Sequence, residues 1–422
     1  MNNPIRLFLA ALLSASVWVS AYAESMPSET QSAESHVDTL AINPALKLQD
    51  VLARTLLRNP SQAALQARAS MVKAKSISAK SLLPQAPAVT VGHQNDSFAS
   101  NRGEREWQAE LELPIWLPNQ RHQRYQVAEA TQANFNAHQE SLKLTAAGML
   151  REAIWDVTYN DNAALLATQQ LQLAQALTLD VEKRFKAGEL AKSDVFLSQQ
   201  ETLKVEREKL RAEAELMHAR YRYQLITGLH EMPAAIEEQQ SAITDYAQSP
   251  IWLEAMSKVD LAESALHLAE VESRDNPQIL LNMRRIQGGF DYTYNDSLGV
   301  KIRIPFGSEV KSAPIKALAA YEVGNAQSER DTMRFKLEQA MHEAEHNLAV
   351  TQAELNLATQ HYALAKQSLQ LTQKAFQLGE TDLVNLLRVQ AQTFESERMY
   401  ASRQIQLKWD VARYNQAVGV LP

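Results

Sequence analysis

The first stretch whose residue types could carry out chemistry is His-Glu-Ala-Glu-His at positions 342–346. It fits the pattern H-E-x-x-H, in which two histidines one helical turn apart bind zinc and the glutamate serves as general base of a metallopeptidase. The extended form of the motif would place a glycine at position 349 and a third zinc ligand, histidine, at position 352. The sequence has Ala349 and Gln352 there. The pentapeptide therefore supplies only two histidine ligands, His342 and His346.

The helix that carries this pentapeptide has a coiled-coil pattern. Apolar residues recur at alternating steps of three and four along positions 341–376, as in the seam between packed helices. Met341 and Ala344 lie on the seam, so His342 and His346 fall on the outer, solvated face. We therefore expect neither enzyme activity nor a bound metal or cofactor. A zinc peptidase that uses Glu343 is a remote alternative, and opportunistic metal binding by two surface histidines is another.

The N-terminal residues predict a secretory signal peptide. Arg6 precedes the apolar positions 7–21, and the small-x-small sequence Ala21-Tyr22-Ala23 predicts cleavage between Ala23 and Glu24. The 422 residues include no cysteine, which excludes disulfides and cysteine-based metal sites. A formal net charge of −7 provides no basic surface for nucleic acid, so no nucleic-acid partner is expected.

The sequence contains two copies of one unit. Positions 184–200, RFKAGELAKSDVFLSQQ, match positions 375–391, AFQLGETDLVNLLRVQA, at an offset of 191 residues. The same offset pairs Pro114 with Pro305 and Tyr223 with Tyr414, and no gap interrupts the match between positions 114 and 228. An internal repeat of this length defines the domain organisation. We divide the chain into a signal peptide (1–23), an extended segment (24–45), a first repeat (46–228), a linker (229–249) and a second repeat (250–419).

Each repeat predicts the same order of elements: a short helical region, two strands, a very long helix, a glycine turn and a second long helix. In the first repeat we expect strands within about 88–113 and long helices over about 120–187 and 190–227. In the second repeat the corresponding ranges are about 278–305, 313–378 and 381–418. A helix over positions 123–185 is roughly 95 Å long, which no single globular core covers. It must therefore pack against other long helices.

The strand segments alternate apolar and polar residues, which predicts strands with one apolar face. In EWQAELELP (106–114) Trp107 and the apolar residues after it alternate with glutamates, and GVKIRIPF (299–306) alternates in the same way. The edge of a soluble sandwich is one interpretation, but the signal peptide and the aromatic residues at the strand ends favour an outer-membrane barrel. Four strands cannot enclose a lumen, and lipid does not tolerate unpaired strand edges, so the chain must oligomerise. Three copies would supply twelve strands around a lumen lined by Glu110, Glu112, Lys301 and Arg303.

With these elements in place, the sequence resembles the TolC-type family of outer-membrane efflux channels over about residues 45–419. The matching residues are the glycine turns, the residues that follow them, the strand-ending prolines and the terminal segments LITG and AVG: Gly188, Gly379, Asp194, Asn385, Gln199, Gln390, Pro114 and Pro305. The resemblance implies a homotrimer of mainly helical chains with a small β part. Long antiparallel hairpins form an α-helical barrel in the periplasm, and four strands per chain contribute to a twelve-stranded barrel across the lipid of the outer membrane.

In that family the glycine turns form a tip that docks a periplasmic adaptor protein and, through it, an inner-membrane pump of the resistance–nodulation–division (RND) type. The resemblance places the docking site at Gly188, Glu189, Leu190, Gly379, Glu380 and Thr381. It places gate candidates just after the turns, at Asp194, Asn385 and Arg388, although Asn385 and Arg388 stand where the best-known member has carboxylates. A gating contact between Asp194 and Arg388 is one interpretation. We favour the other, in which both are solvated tip residues.

The implied function is a passive exit duct without enzyme activity, which receives its substrate from the pump. The segment over positions 86–130 looks like the branch that serves heavy-metal pumps of the cobalt–zinc–cadmium and copper–silver types, so heavy-metal cations are the expected cargo. Drug efflux and type I protein secretion through the same type of channel stay open as alternatives. A secreted coiled-coil or adhesin-like rod protein is a further alternative, distinguished by its lack of association with the outer membrane.

Overall fold

The computed structural model describes residues 39–422, except residues 273, 307 and 308. The predicted signal peptide, with its cleavage between Ala23 and Glu24, lies outside the described residues, as does most of the predicted extended segment. The elements in chain order are β1 (Ala41–Asn43), α1 (Leu48–Arg58), α2 (Gln62–Lys80), β2 (Ala88–Asn95), β3 (Arg105–Pro114), α3 (Gln120–Lys186), α4 (Lys192–Thr227), β4 (Glu231–Pro233), α5 (Pro250–Val271), β5 (Gln278–Gln287), β6 (Asn295–Arg303), α6 (Glu309–Gln377) and α7 (Leu383–Ala417).

The four long helices form two antiparallel hairpins, α3 with α4 and α6 with α7. Each hairpin turns within five residues, 187–191 in the first and 378–382 in the second. Buried residues on α3 include seven members of the predicted seam, separated by three, four or seven residues, and four of the seven are alanine: Leu150, Ala153, Val157, Ala164, Ala167, Ala174 and Val181. Alanine at these positions lets a neighbouring helix approach closely. The heptad seam expected from the sequence is therefore present in the fold.

One continuous apolar cluster joins the start of the described chain to the first hairpin. Val51 and Leu52 of α1 pack with Leu150 and Ile154 of α3 and with Tyr223 of α4. Fully burying an apolar side chain of this size contributes about 1.5–3 kcal/mol relative to leaving it exposed, so the cluster fixes α1 on the hairpin. The helix α2 runs along α3, and α5 packs against both α3 and α6.

The strands form two sheets. A short parallel pair joins β1 to β4, and the other four strands form one antiparallel sheet in the order β2–β3–β5–β6. Every described helix is either too polar or too short to serve as a transmembrane span. The fold class predicted from the sequence, mainly α with a small β part built on long helical hairpins and four strands, is confirmed.

Candidate functional site

One face of the four-stranded sheet is apolar. Paired residues of neighbouring strands project to the same side of a sheet, so the register defines the members of each face. The apolar face contains Val89, Val91, Ala109, Leu111, Leu281, Met283, Leu298 and Val300. Several of these side chains are strongly exposed, Leu298 at 86% and Val300 at 70%. A contiguous exposed apolar face of this kind marks contact with lipid or with another apolar surface.

The opposite face of the sheet is polar and carries ion pairs between strands. Lys301 on β6 donates to Glu110 on β3 across the intervening strand, with 3.1 Å between Nζ and Oε2. Arg284 on β5 donates to both carboxylate oxygens of Glu106, at 2.5 and 2.6 Å. The register places Glu112 and Arg303 on the same face. The four residues predicted to line a lumen therefore share one side of the sheet, with carboxylates on β3 and cations on β6.

The sheet has two open edges. Within the part of the chain that the structure describes, β2 pairs only with β3 and β6 pairs only with β5. Each edge strand therefore presents a row of backbone N–H and C=O groups that no described strand satisfies. Such edges are templates for pairing with another chain.

The two glycine turns have the same backbone geometry. Gly188 and Gly379 adopt φ angles of +85° and +76°, a left-handed conformation that is costly for other residues. The N–H after each glycine donates back to the end of the preceding helix: Glu189 to the carbonyl of Arg184 at 2.9 Å, and Glu380 to that of Ala375 at 2.8 Å. This pattern closes the C-terminus of a helix. Of the other turn residues, Leu190 packs on a cluster shared by the two hairpins, and Thr381 accepts a hydrogen bond from Asn385.

The gate candidates lie at the starts of α4 and α7 and are engaged locally. Asp194 accepts a hydrogen bond from the backbone N–H of Ala191 at 3.1 Å, so its carboxylate caps α4. Arg388 donates to the side-chain oxygen of Asn385 at 2.8 Å. In the structure Asp194 and Arg388 are thus bonded to other partners and not to each other.

Arg184 connects the two hairpins next to the turns, a role that sequence reasoning missed. Its Nη1 donates to the backbone carbonyl of Phe376 at 3.2 Å, and its guanidinium lies 4.8 Å from the centre of the Phe376 ring. The Nε of the same side chain donates to Glu189 in the first turn. Arg184 has no counterpart in the other repeat, where the position holds Ala375, so the repeat pattern gave no signal for it.

His342 and His346 lie on an exposed face of α6, as their heptad positions predict. Their rings are nearly parallel, with centroids 6.4 Å apart. Glu343 accepts a hydrogen bond from Gln339 on the same helix at 2.8 Å. Among the described residues, no third histidine, aspartate or glutamate completes a metal-binding group with this pair.

The position equivalent to His342 in the first repeat holds a buried cation, Arg151. Its guanidinium forms two hydrogen bonds with the carboxylate of Glu238 at 2.7 and 2.6 Å, and it also donates to Gln416 and to the carbonyl of Val420. The two side chains of the ion pair are 4% and 10% exposed. Arg151 therefore joins the linker to α3 and to the end of α7. Position in the heptad did not reveal this, because the partner comes from a segment without periodicity.

A second polar contact fixes α5 on α3. His138 and Glu254 are 2.9 Å apart, and Lys258 lies 3.6 Å from the same carboxylate. Burial raises the pKa of Glu254, but hydrogen bonds from Ser141 and His138 and the electrostatic effect of the nearby His138 and Lys258 outweigh it, so the pKa lies below its ordinary value. Glu254 is therefore held as a carboxylate at neutral pH.

No protein-family model matches the sequence, and neither does any curated protein. Solved structures, in contrast, match over nearly the whole described chain. CusC, described in connection with transmembrane channel formation, has a TM-score of 0.70 and 13% identity, with 90% of this chain and 94% of that chain covered. The outer membrane protein VceC of Vibrio cholerae has a TM-score of 0.69 and 15% identity, with coverages of 88% and 96%.

The MtrE outer membrane channel of Neisseria gonorrhoeae, solved in its open state, matches with a TM-score of 0.64 and 16% identity, with coverages of 88% and 89%. Identities this low establish similarity of fold. The chain therefore has the fold of these outer-membrane channel proteins.

Proposed function

We propose that the chain is the outer-membrane channel component of a tripartite export system, and that three copies form one channel. The observation that carries the proposal is the four-stranded sheet, which is apolar on one face, polar on the other, and open at β2 and β6 in the described chain. In lipid every backbone hydrogen-bonding group needs a partner, which an open edge lacks. Pairing β2 of one copy with β6 of the next removes both edges, and three copies close a barrel of twelve strands.

The two faces of the sheet give this barrel its orientation. The apolar face with Leu298 and Val300 contacts lipid, and the polar face surrounds a water-filled lumen. Glu110, Glu112, Lys301 and Arg303 then face the lumen, and the Glu110–Lys301 ion pair at 3.1 Å leaves no strong excess of either sign. Such a lumen conducts by diffusion and does not select its cargo, which supports a passive duct without enzyme activity.

The long hairpins continue the duct away from the sheet, into the periplasm, as an α-helical barrel. We assign the docking of a periplasmic adaptor to the turn residues Gly188, Glu189, Leu190, Gly379, Glu380 and Thr381. The left-handed glycines at both turns support this assignment, because they shape two equivalent blunt tips. The adaptor connects the duct to an inner-membrane RND-type pump, which supplies the energy for export.

The gate candidates Asp194, Asn385 and Arg388 lie next to this tip. The bond of Asp194 to Ala191 and the bond of Arg388 to Asn385 support the interpretation of solvated tip residues over a gating ion pair. As cargo we propose heavy-metal cations, on the resemblance of positions 86–130 to the heavy-metal branch. Organic drugs or a secreted polypeptide are the alternative cargoes for the same duct.

The channel is tested by expressing the full-length chain, extracting it from the outer-membrane fraction with detergent, and measuring its mass and its conductance in planar bilayers. We expect a trimer that forms water-filled pores of stable conductance. A detergent-independent monomer recovered from the soluble fraction would overturn the proposal and would favour a secreted rod protein. Stoichiometric zinc together with peptidase activity that disappears in Glu343→Gln would favour the zinc peptidase instead.

The cargo is tested with a strain that lacks the gene. We expect it to be hypersensitive to copper, silver, zinc, cobalt or cadmium and to respond normally to a panel of antibiotics, with the wild-type gene restoring resistance. Hypersensitivity confined to organic compounds would contradict the proposed metal cargo while leaving the channel itself in place.

A further inference from the structure

One contact between the two hairpins involves residues that have equivalents in the other repeat. Glu152 on α3 accepts hydrogen bonds from Trp409 and Arg413 on α7: 3.2 Å from the indole nitrogen, and 2.8 and 2.7 Å from the guanidinium. The guanidinium of Arg413 also lies 4.3 Å from the centre of the Trp409 ring. This contact joins the first helix of one repeat to the second helix of the other.

Each residue of this contact has an equivalent at the repeat offset of 191. Glu152 corresponds to Glu343 on α6, Arg413 to Arg222 on α4, and Trp409 to His218 on α4. The glutamate and the arginine are thus present twice. In the described chain, however, Glu343 on α6 and Arg222 on α4 do not bond to each other. Glu343 accepts a hydrogen bond from Gln339, and Arg222 donates to Asp156 and is about half exposed. Its Nη1 group takes no part in the bonds to Asp156, which come from Nε and Nη2.

The grooves around the two glutamates are equivalent as well. On the first hairpin, Glu152 lies in a groove that α7 borders from outside the hairpin with Trp409 and Gln416. On the second hairpin, Glu343 lies in a groove whose lining comes only from α6 and α7 themselves: Ala340, Glu343, Ala344, Asn347, Asp410, Arg413, Gln416 and Ala417. The second groove therefore lacks the outside helix that the first one has.

Two further apolar stripes remain uncovered on these same helices. Phe196, Leu203, Leu210 and Met217 recur every seven residues on α4, and Val350, Leu357, Leu364 and Leu371 do so on α6. All eight side chains are 40–69% exposed. A seven-residue apolar repeat is the pattern of a helix that packs along another helix over many turns. Within the described chain neither stripe has such a partner.

The register of the existing contact aligns the two stripes. Arg151 on α3 donates to Gln416 on α7, and the repeat offset converts this pair into His342 on α6 and Leu225 on α4. In an antiparallel pair, equal steps towards the hairpin turns stay level. Eight residues nearer the turns, His342 is followed by Val350 on α6 and Leu225 by Met217 on α4. Further steps of seven bring Leu357 beside Leu210, Leu364 beside Leu203 and Leu371 beside Phe196. In this register each of the four apolar residues of the α4 stripe lies beside one of the four of the α6 stripe.

We propose that α4 of one copy packs along α6 of the next copy in the register of the chain's own α3–α7 contact, and that Glu343 there receives Arg222 and His218 of the neighbouring copy. The inference rests on the proposed function in that it assumes a closed ring of copies. The surface on α4 differs from the surface on α6, so the interface is head-to-tail, the type that generates rings when the rotation closes. The glutamate of the H-E-x-x-H sequence thus holds subunits together.

The absence of cysteine from the natural sequence permits a direct test. The full chain carrying Glu343→Cys and Arg222→Cys is extracted from the outer membrane and treated with a short bifunctional maleimide, because a carboxylate–guanidinium pair separates the backbones too far for a direct disulfide. We expect covalent dimers and trimers on a denaturing gel. The intrachain control, Glu152→Cys with Arg413→Cys, should react equally well and keep the monomer mass.

A register control carries Arg222→Cys with Ser368→Cys, on the same side of α6 but about 38 Å nearer the turn at 1.5 Å per residue. It should give no covalent oligomers. Untreated samples are sized in detergent. A trimeric preparation in which the Glu343 and Arg222 cysteines stay unlinked, or the Ser368 control links as well, would overturn the register and leave the proposed function intact. A preparation that is monomeric throughout would overturn the proposed function as well.

Charge reversal provides an independent measurement. Glu343→Arg should increase the rate of trimer dissociation in detergent about tenfold, as expected for a close interfacial charge pair. Combining it with Arg222→Glu should restore a rate near that of the wild-type protein, because the pair is re-formed with opposite polarity. A double variant that dissociates faster than either single variant would contradict a direct contact between the two positions.

Discussion

The buried ion pair Arg151–Glu238 shows how much one polar contact controls the linker. Breaking a buried ion pair by removing one partner leaves an uncompensated charge and typically costs about 3–5 kcal/mol. Glu237, the preceding residue, forms an exposed ion pair with Lys408, and exposed pairs contribute about 0–1 kcal/mol. The two neighbouring glutamates therefore differ mainly in burial.

We expect Glu238→Ala to lower the thermal unfolding midpoint of the detergent-solubilised protein strongly, in line with a loss of about 3–5 kcal/mol. Glu237→Ala serves as the matched control and should leave the midpoint nearly unchanged. Circular dichroism at 222 nm follows the long helices in both variants. Equal midpoints for the two variants would show that the Arg151 contact does not hold the linker in place.

Tyr223 adds a pH dependence at the same end of the hairpin. The side chain is fully buried and donates to the carbonyl of Glu231 at 2.9 Å, and burial raises its pKa from 10 to about 12. The unfolded chain then loses this proton near pH 10, whereas the folded chain keeps it up to about pH 12. The stabilisation from the raised pKa is therefore complete below pH 10 and is lost as the pH rises through 12.

We expect the unfolding midpoint of the wild-type protein to fall between pH 10 and pH 12, and to fall less steeply in Tyr223→Phe. The variant should also be less stable by about 1 kcal/mol at neutral pH, because the carbonyl of Glu231 loses its hydrogen bond. Tyr292→Phe is the control, since that side chain is fully exposed, and it should follow the wild-type curve. Parallel curves for Tyr223→Phe and wild type over this interval would contradict the assigned pH dependence.

At the glycine turns, the cost of a substitution comes from backbone conformation and not from packing. A Cβ added at Gly379 would meet no atom within 4 Å, and the same holds for Gly324 inside α6. The two positions differ in conformation, since Gly379 has a φ of +76° and Gly324 is helical. An alanine in the left-handed region costs about 1–2 kcal/mol. In a helix interior, alanine is favoured over glycine by about 1 kcal/mol.

Gly379→Ala should therefore destabilise the protein by about 1–2 kcal/mol, and Gly324→Ala should stabilise it by about 1 kcal/mol. The measurement is the unfolding midpoint of each purified variant in denaturant. Gly188→Ala, at the equivalent turn, should repeat the loss seen at Gly379. A shift of the same sign at Gly379 and Gly324 would mean that the turn conformation is not required.

The elements were largely predictable from the sequence, because periodicity and repetition are local properties. The seven-residue seam gave the long helices, the two-residue alternation gave the strands, and the offset of 191 related the two hairpins. The short helical region expected at the start of the first repeat consists of two helices, Leu48–Arg58 and Gln62–Lys80, separated at Asn59-Pro60, where the residue before proline avoids helical geometry. Contacts such as Arg184 with Phe376 depend on how hairpins meet, which no local pattern encodes.

At the scale of the whole molecule, the structure shows surfaces that a single copy leaves open. Within the described chain, β2 and β6 each have a partner strand on one side only, and no helix covers the stripes on α4 and α6. The sequence indicated the need for oligomerisation through the count of four strands. It did not reveal which helices meet between copies. The α4 stripe and the equivalent positions on α7 differ in exposure, since Leu387 on α7 packs within the chain, and the sequence alone does not show exposure.

Adjacent residues of β2 provide a test of the apolar face of the sheet. Val91 belongs to the apolar face and pairs with Ala109, whereas Thr90 belongs to the polar face and pairs with Glu110. If the apolar face contacts lipid, Val91→Arg should cost about 2–4 kcal/mol near the middle of the bilayer. Thr90→Arg points into water and lies beside a carboxylate, so it should be tolerated. Both positions are on the same edge strand, so effects on strand pairing are matched.

The measurement is the fraction of each variant recovered from the outer-membrane fraction as a trimer that resists detergent until heated. We expect Val91→Arg to be recovered at a small fraction of the wild-type level and Thr90→Arg at nearly the full level. The opposite order would contradict the assignment of the lipid-facing side. Equal recovery of both variants would point to a sheet surrounded by water, and the rod-protein interpretation would then fit better than a channel.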